Sequence, residues 1–355
     1  MYQKDRGVDK MTLKEDYEQL ARRIPYGIDK KLREPHRYYH NTDHIINIAY
    51  QIHQDYNIKN ITDNQCDILL LVNYYHDVVY NPRRKDNEYE SIRFFRNISE
   101  PYSYDAIVST IIKYTDPDTY GDDLSSLGGE TQFLVKKFRS YDLDAFHKKS
   151  IIHLTWNYIK LLKEFQFIRY PEFRDNTITF VQGLMKLGWF DNILLMQYIR
   201  YVLDYKPSIG IYAGSFNPFH VGHLSVLEQA EKLFDKVIIA KPANQINTSF
   251  PRTQLILPFH EVVEFDGLLL DYIKQVQEYA TVTLIRGLRN GNDLEYELNM
   301  KAVNQDIAPN NHDTIYFISD KPHVSSTVVR SMEHFENEPW SMYIPTKYDY
   351  IHDHF

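Results

Sequence analysis

The sequence predicts a multidomain chain: an all-α domain over residues 1–205, then an α/β domain built on a parallel sheet over residues 206–355. Three observations carry this. Up to Leu203 the chain is a series of apolar-rich runs of helical length, and before Gly183 glycine is confined to Gly7, Gly27 and the loop YGDDLSSLGGE. From Ile209 onward, short apolar runs alternate with helix-patterned ones, the pattern of βαβ units. A chain of 355 residues is long enough for each half to bury its own core.

Taken in order, IINIAYQIHQDY, CDILLLVNYYHDVVY, SIRFFRNI, AIVSTIIKY and ETQFLVKKFRSYDLDAF read as helices without internal Gly or Pro. HLTWNYIKLLKEFQFI and TITFVQGLMKLGWF continue the series. DYKPS, Asp204 to Ser208, reads as a linker. IGIYAG is a strand closed by Gly214, and LSVLEQAEKLF sets Leu224, Leu227, Ala230 and Phe234 at helical spacing. KVIIA, VTLIRG and TIYFIS are three further strands, separated by helix-like segments.

Composition narrows the function classes. Lys plus Arg is 40 and Asp plus Glu is 48, a net charge of −8 that argues against a general nucleic-acid scaffold. No apolar run reaches membrane-spanning length, and MYQKDRGVDKMTLKEDYEQL is too charged for a signal peptide. The single cysteine, Cys66, excludes an internal disulfide and lies in an expected buried helix. A cytoplasmic protein with neither membrane nor nucleic-acid partner is the expectation.

The stretch GSFNPFHVGH follows the first expected strand and opens a helix. Backbone N–H groups at such a helix start, together with its dipole, favour bound phosphate, and Gly214 and Gly222 let backbone approach a ligand. His220 and His223 then supply imidazole N–H donors that stabilise charge on phosphorus. Arg286 and Arg289 follow a later strand and suit phosphate at the carboxyl edge of a parallel sheet, or else serve as partners of Asp293 and Glu297. Ser325, Ser326 and Thr327 read as an N-cap and first turn that carries Arg330, a second anion site.

From about Ile209 to the C-terminus, these residues resemble the nucleotidyltransferase superfamily with the signature G-[ST]-F-[DN]-P-x-[HT]-x-G-H and a late S-S-T-x-x-R, which has a Rossmann-like fold. LIRGLRNGNDLEYEL and WSMYIPTKYDYI are most similar to phosphopantetheine adenylyltransferases. The resemblance implies adenylyl transfer from ATP, with Mg²⁺, to a small phosphorylated acceptor, and assembly of copies through this domain. It implies catalytic roles for His220 and His223, and nucleotide contacts from Gly214, Ser215, Phe216, His223, Arg289, Glu297, Ser325, Ser326, Thr327 and Arg330. Acceptor contacts fall to Ser215, Arg286 and Asn247, the last standing where those enzymes carry a lysine, with Lys241 as a substitute. GSFNPFHVGH and SSTVVR are equally similar to nicotinate or nicotinamide mononucleotide adenylyltransferases, which makes a mononucleotide the alternative acceptor.

In the first half, YHNTDH sets His40 and His44 four residues apart, expected on one face of a starting helix. NYYHDVVYNP adds His76 and Asp77, and SYDLDAF adds Asp142 and Asp144. Imidazoles and carboxylates drawn from helices suit one divalent metal, with Mn, Fe, Mg, Zn and Ni not distinguished, and such a metal activates water for attack on phosphorus. From about Arg33 through EFRDNTITFVQGLMKLGWF this half resembles the HD superfamily of metal-dependent phosphohydrolases. The resemblance implies His44, His76 and Asp77 as ligands, completed by Asp142 or Asp144, and His40 as general acid. Arg83, Arg84 and Lys85 suit a substrate phosphate and a solvated charge run equally well. The alternative is a regulatory module that binds a nucleotide without hydrolysing it.

Overall fold

The computed structural model describes residues 19–98, 104–147, 150–243, 250–307, 312–335 and 337–349. The chain divides into two compact units, Met1–Asn157 with Gln182–Gln197 and Tyr158–Val181 with Tyr198–Phe355. Among the described residues, no helix is long and apolar enough to cross a membrane.

The first unit is helical. It contains α1 (Tyr26–Leu32), α2 (Thr42–Asn57), α3 (Asp63–Tyr75), α4 (Asn87–Ile98), α5 (Asp105–Lys113), α6 (Gly129–Asp142) and α7 (Asp144–His147). Two starts are fixed by side chains. Asn41 accepts from the N–H groups of Asp43 and His44 at α2, and Thr62 forms a reciprocal cap with Gln65 at α3. Leu69, Val72, Phe95, Ile112, Leu134 and Phe138 join α3 to α6 in one buried cluster. The connection between α1 and α2 puts His40 before the Asn41 cap, so it does not share a helix face with His44 as the four-residue spacing implied. His76 is the C-cap of α3 and Asp77 lies just beyond it, so the His-Asp pair sits at a helix end rather than within one.

Three further helices follow: α8 (Ile151–Glu164), α9 (Tyr170–Leu187) and α10 (Asn192–Asp204). The second unit then forms a five-stranded parallel sheet. Its elements are β1 (Ser208–Ala213), α11 (Val221–Ala230), β2 (Lys236–Pro242), α12 (Thr253–Ile256), β3 (Glu261–Phe265), α13 (Leu269–Gln277), β4 (Thr281–Leu288), α14 (Gly291–Ile307), β5 (Asp313–Ile318) and α15 (Ser326–Ser331). The strand order is β3-β2-β1-β4-β5, with Ile211 opposite Ile238 and Leu284 in the parallel register. β1 and β2 are buried almost throughout, as strands covered on both faces must be. β3 has no counterpart among the four strands expected from the sequence. It is a five-residue edge strand whose EVVEF run is only partly buried beyond Glu261 and carries two glutamates, so its hydrophobic signal is weak.

The expected boundary at 205/206 marks where the sheet begins, but the compact unit around the sheet reaches back to Tyr158. The reason is electrostatic as well as apolar. The Lys236 ammonium, fully buried, pairs with Glu261 at 2.9 Å and donates to the carbonyls of Gln166 and Ile168. His260 lies 2.6 Å from Glu231, and Lys163 donates to the Glu231 carbonyl at 2.8 Å. Residues 163–168 therefore supply partners that the buried charges at the start of β2 and β3 would otherwise lack.

Candidate functional site

The strand order reverses between β1 and β4, and in an open parallel sheet ligands collect outside the carboxyl ends of strands at such a point. A cavity of about 400 Å³ opens there. It is lined by the loop after β1, the start of α11, the end of β4, the start of α14 and the first turn of α15. Gly214, Ser215, Phe216, His220, His223, Arg286, Arg289, Glu297, Ser325, Ser326, Thr327 and Arg330 all line it. Asn247 lies outside the described residues. Lys241 is not among the lining residues and instead pairs with Glu264, its register partner on β3, at 2.8 Å.

His220 is the N-cap of α11. Its Nδ1 accepts from the backbone N–H of Gly222 (3.1 Å) and of His223 (3.4 Å). The His220 N–H in turn donates to His223 Nδ1 at 3.2 Å. Both Nδ1 atoms are acceptors, so in each neutral ring the proton resides on Nε2. Burial, reinforced by Arg289, lowers His220 to about 4, and burial, His220 and Arg289 hold His223 well below the ordinary imidazole value. The pair is therefore uncharged at neutral pH and presents N–H donors without a positive charge.

One expectation is corrected at this loop. The N–H groups of Gly222 and His223 are not free for phosphate, because the His220 ring takes them. The two glycines answer to internal packing: a Cβ at Gly222 would lie 3.0 Å from the His220 ring and 3.3 Å from Ser319 Oγ, and one at Gly214 would lie 3.0 Å from the Phe216 ring. Phe216 itself has φ +47° and is buried with its ring edge-on to His223 at 5.0 Å.

Both arginines after β4 are already paired. Arg286 Nε donates to Glu297 at 2.6 Å and Nη1 to the Ala213 carbonyl at 2.9 Å, while Arg289 makes a bidentate pair with Asp293 at 2.9 and 3.0 Å. Ser325 caps α15 by accepting from the Val328 N–H at 3.2 Å. Ser326 donates to the Pro218 carbonyl, and Arg330 donates to the Asn217 carbonyl and to Thr327 Oγ1. The late serine turn is thereby tied to the loop after β1, which explains how segments more than a hundred residues apart form one wall.

In the helical unit, the end of α3, the start of α2 and the end of α6 meet. His76 Nε2 lies 3.0 Å from Asp77 and 3.9 Å from Asp142, and His44 Nε2 lies 3.1 Å from Asp142 and 3.8 Å from Asp77. Both Nε2 atoms are buried with no hydrogen bond of acceptable direction. His76 Nδ1 donates to the Asn73 carbonyl at 3.0 Å, which turns Nε2 inward. Burial alone would lower the His76 pKa, but Asp77 and Asp142 raise it to about 9. Asp77 is held far below the carboxylate range, its burial outweighed by His76, His40 and His44. Orphaned imidazole nitrogens facing two carboxylates fit the donor set of one divalent cation. The carboxylate that pairs with both histidines from the end of α6 is Asp142, whereas Asp144 opens α7 and its charge partly offsets the burial that lowers His147. His40 packs against Tyr80, its ring tilted by 34° with centroids 4.3 Å apart, and sits edge-on to His44 at 5.9 Å. Arg84 pairs with Asp86 and Glu90, and Arg83 and Lys85 are exposed.

Residues 211–332 match the cytidylyltransferase-like family. Phosphopantetheine adenylyltransferase of Lawsonia intracellularis is 37% identical over 145 residues, covering 36% of this chain and 80% of that protein. Through its C-terminal domain the chain belongs to the phosphopantetheine adenylyltransferase family. The family members from Geotalea daltonii (35% over 136 residues, 35% of this chain and 82% of that protein) and Syntrophomonas wolfei (36% over 134 residues, 34% and 81%) match similarly. A crystal structure described as a nicotinate-nucleotide adenylyltransferase from Vibrio parahaemolyticus aligns at 20% identity with a TM-score of 0.29, over 42% of this chain and 93% of that one, a likeness too low to bear on function.

Sequence reasoning missed two residues that the structure brings forward. In the phosphopantetheine adenylyltransferase-family domain, buried Ser319 stands just past β5, lines the cavity and donates to the Gly222 carbonyl at 3.1 Å. Its only signal was its place at the carboxyl end of a strand. In the helical unit, Arg37 is fully buried and donates to the carbonyls of Asp77 (2.6 Å), His40 (3.2 Å) and Val78 (3.1 Å), with Glu34 as its ion partner. An arginine three residues before His40 gives no hint in sequence that it fixes the backbone of both the general-acid candidate and the ligand candidate Asp77.

Proposed function

We propose that the C-terminal domain transfers AMP from ATP to 4′-phosphopantetheine, giving dephospho-coenzyme A and pyrophosphate. The observation that carries the reading is the neutral His220–His223 pair at the strand switch point, in a chain whose relatives are named phosphopantetheine adenylyltransferases. The acceptor phosphate attacks the α-phosphorus in line, and no covalent enzyme intermediate is required. Nε2–H of His223 and His220 donates to oxygens that gain charge in the transition state. Entering phosphates compete with Glu297 for Arg286 and with Asp293 for Arg289, while Ser325, Ser326, Thr327 and Arg330 hold the departing pyrophosphate. Mg²⁺ enters with ATP and offsets phosphate charge. The test is product mass from purified protein, ATP and Mg²⁺ with each acceptor. Dephospho-coenzyme A supports the reading, and a dinucleotide from nicotinamide or nicotinate mononucleotide replaces it with the alternative.

For the helical unit the proposed reading is a metal-dependent phosphohydrolase. Its support is the convergence of His44, His76, Asp77 and Asp142 around two buried, unbonded Nε2 atoms. A bound divalent cation would lower the pKa of water for attack on phosphorus. His40 is the candidate general acid, and Arg37 holds the backbone of His40 and Asp77. Metal content together with a phosphatase screen separates this from a regulatory nucleotide-binding module, which would release no phosphate.

A further inference from the structure

The peptide group between Gly222 and His223 is hydrogen-bonded at both ends. Its N–H donates to Nδ1 of His220 at 3.4 Å, and its carbonyl accepts from the Ser319 hydroxyl at 3.1 Å. Ser319 Oγ accepts in turn from the Lys321 N–H at 3.2 Å, which helps fix the direction of the hydroxyl. A planar peptide carries orientation across itself, so a hold on the carbonyl is also a hold on the N–H that meets the His220 ring. A donor at the carbonyl also polarises the N–H and strengthens its bond to Nδ1. Gly222 sits between the two side chains, and a Cβ there would crowd both the His220 ring and Ser319 Oγ. Ser319 and His220 are both buried.

Ser319 is itself anchored to the sheet. It stands one residue past β5, and its N–H donates at 2.9 Å to the carbonyl of Leu288, the last residue of β4. Two neighbouring bonds dock α11 on the same segment without using the Ser319 side chain. Gln229 Nε2 donates to the Ile318 carbonyl at 3.0 Å, and the Asp320 N–H donates to Ser225 Oγ at 3.1 Å. Docking of the helix is therefore separable from the hold on the Gly222–His223 peptide.

We propose that Ser319 is a positioning residue for AMP transfer: through the Gly222–His223 peptide it keeps Nδ1 of His220 an acceptor, and so keeps the proton on Nε2 at the cavity. This rests on the adenylyltransferase reading of the domain. Without the hydroxyl, the peptide is free to rock and its N–H is a weaker donor to the ring. His220 then populates its other tautomer, whose Nε2 offers a phosphate oxygen a lone pair instead of a proton.

The test measures pyrophosphate release by the full-length protein with ATP, Mg²⁺ and 4′-phosphopantetheine. Ser319→Ala should lower kcat about tenfold and leave the KM for ATP unchanged, as expected when a transition-state contact is loosened. Ser225→Ala, which removes only a docking bond of α11, should keep kcat within about twofold of native. In a His220→Asn background, Ser319→Ala should cost no more than about a further twofold, because the ring it positions is gone. An equal loss in Ser225→Ala, or the same loss repeated in the His220→Asn background, overturns the proposal. The ring is also read without turnover, by NMR. Imidazole nitrogen shifts of His220, assigned by their absence in His220→Asn, should place the proton on Nε2 in the native protein and divide it between the two nitrogens in Ser319→Ala. Unchanged shifts overturn the proposal. A native protein that transfers AMP to no acceptor overturns the adenylyltransferase reading, and the shifts then decide by themselves whether Ser319 orders the ring.

Discussion

The rings of His220 and His223 lie 3.6 Å apart, stacked within 20° of parallel, and the backbone of each residue donates to Nδ1 of the other. One arrangement thus caps a helix, fixes two tautomers and leaves two Nε2–H donors at a phosphate-sized cavity. Stacked imidazoles cannot both carry charge cheaply at this distance, which agrees with the depressed values of both rings.

His223→Ala should lower kcat for AMP transfer about 100- to 1,000-fold, the usual cost of one preorganised donor to a developing oxyanion. Pyrophosphate release is the measurement. Metal content of the helical unit should not change, and a rate near that of the native protein would remove His223 from the chemistry.

The same pair makes stability pH-dependent. Both folded-state values lie below the ordinary imidazole value, with His220 at about 4. Well above pH 6.5 neither the folded nor the unfolded state holds these protons. As pH falls from 6.5 toward 4, the unfolded chain binds protons that the folded His220 refuses, so stability falls with pH in this window. His220→Asn keeps a capping acceptor and removes one titrating group. Its melting temperature should therefore decline less between pH 6.5 and 4.5 than that of the native protein. Parallel declines would mean that His220 titrates normally.

Asp142 and Asp144 are separated by one residue but by their surroundings altogether. Asp142 Oδ1 is 3.1 Å from His44 Nε2, whereas Asp144 acts on His147 beyond the end of α6. Asp142→Asn should lose stoichiometric Mn²⁺ in equilibrium dialysis, and Asp144→Asn should retain it. Neither change should affect AMP transfer. The reverse result would assign the ligand to Asp144.

Lys236 is a wholly buried ammonium held by Glu261 and two carbonyls of residues 166 and 168. Lys236→Ala leaves the Glu261 carboxylate without its partner and should cost about 3–5 kcal/mol. Lys241→Ala, whose partner Glu264 is half exposed, should cost under about 1 kcal/mol. Thermal denaturation of the full chain compares them. For the same reason, residues 206–355 expressed alone should be much less stable than residues 158–355. Equal stability would show that the docked segment is dispensable.

The sequence by itself determined the two classes of structure and most of the chemistry-bearing residues. Glycine-poor helical runs, then short buried strands, set the order of elements, because burial periodicity is a local property. The loop GSFNPFHVGH, the arginines after β4 and the serine turn were visible as residue types suited to phosphate, and the fold gathers them at one cavity. What depends on distance in space was decided by the tertiary structure alone. Only packing shows that the His220 ring consumes the helix N–H groups, and that Arg286 and Arg289 both have carboxylate partners. Only packing sets Asp142 beside His44 and His76, brings up Arg37 and Ser319, and makes residues 158–181 part of the sheet unit. A side chain's identity is written in the chain, but its hydrogen-bond partner and its dielectric surroundings come from residues tens to hundreds of positions away.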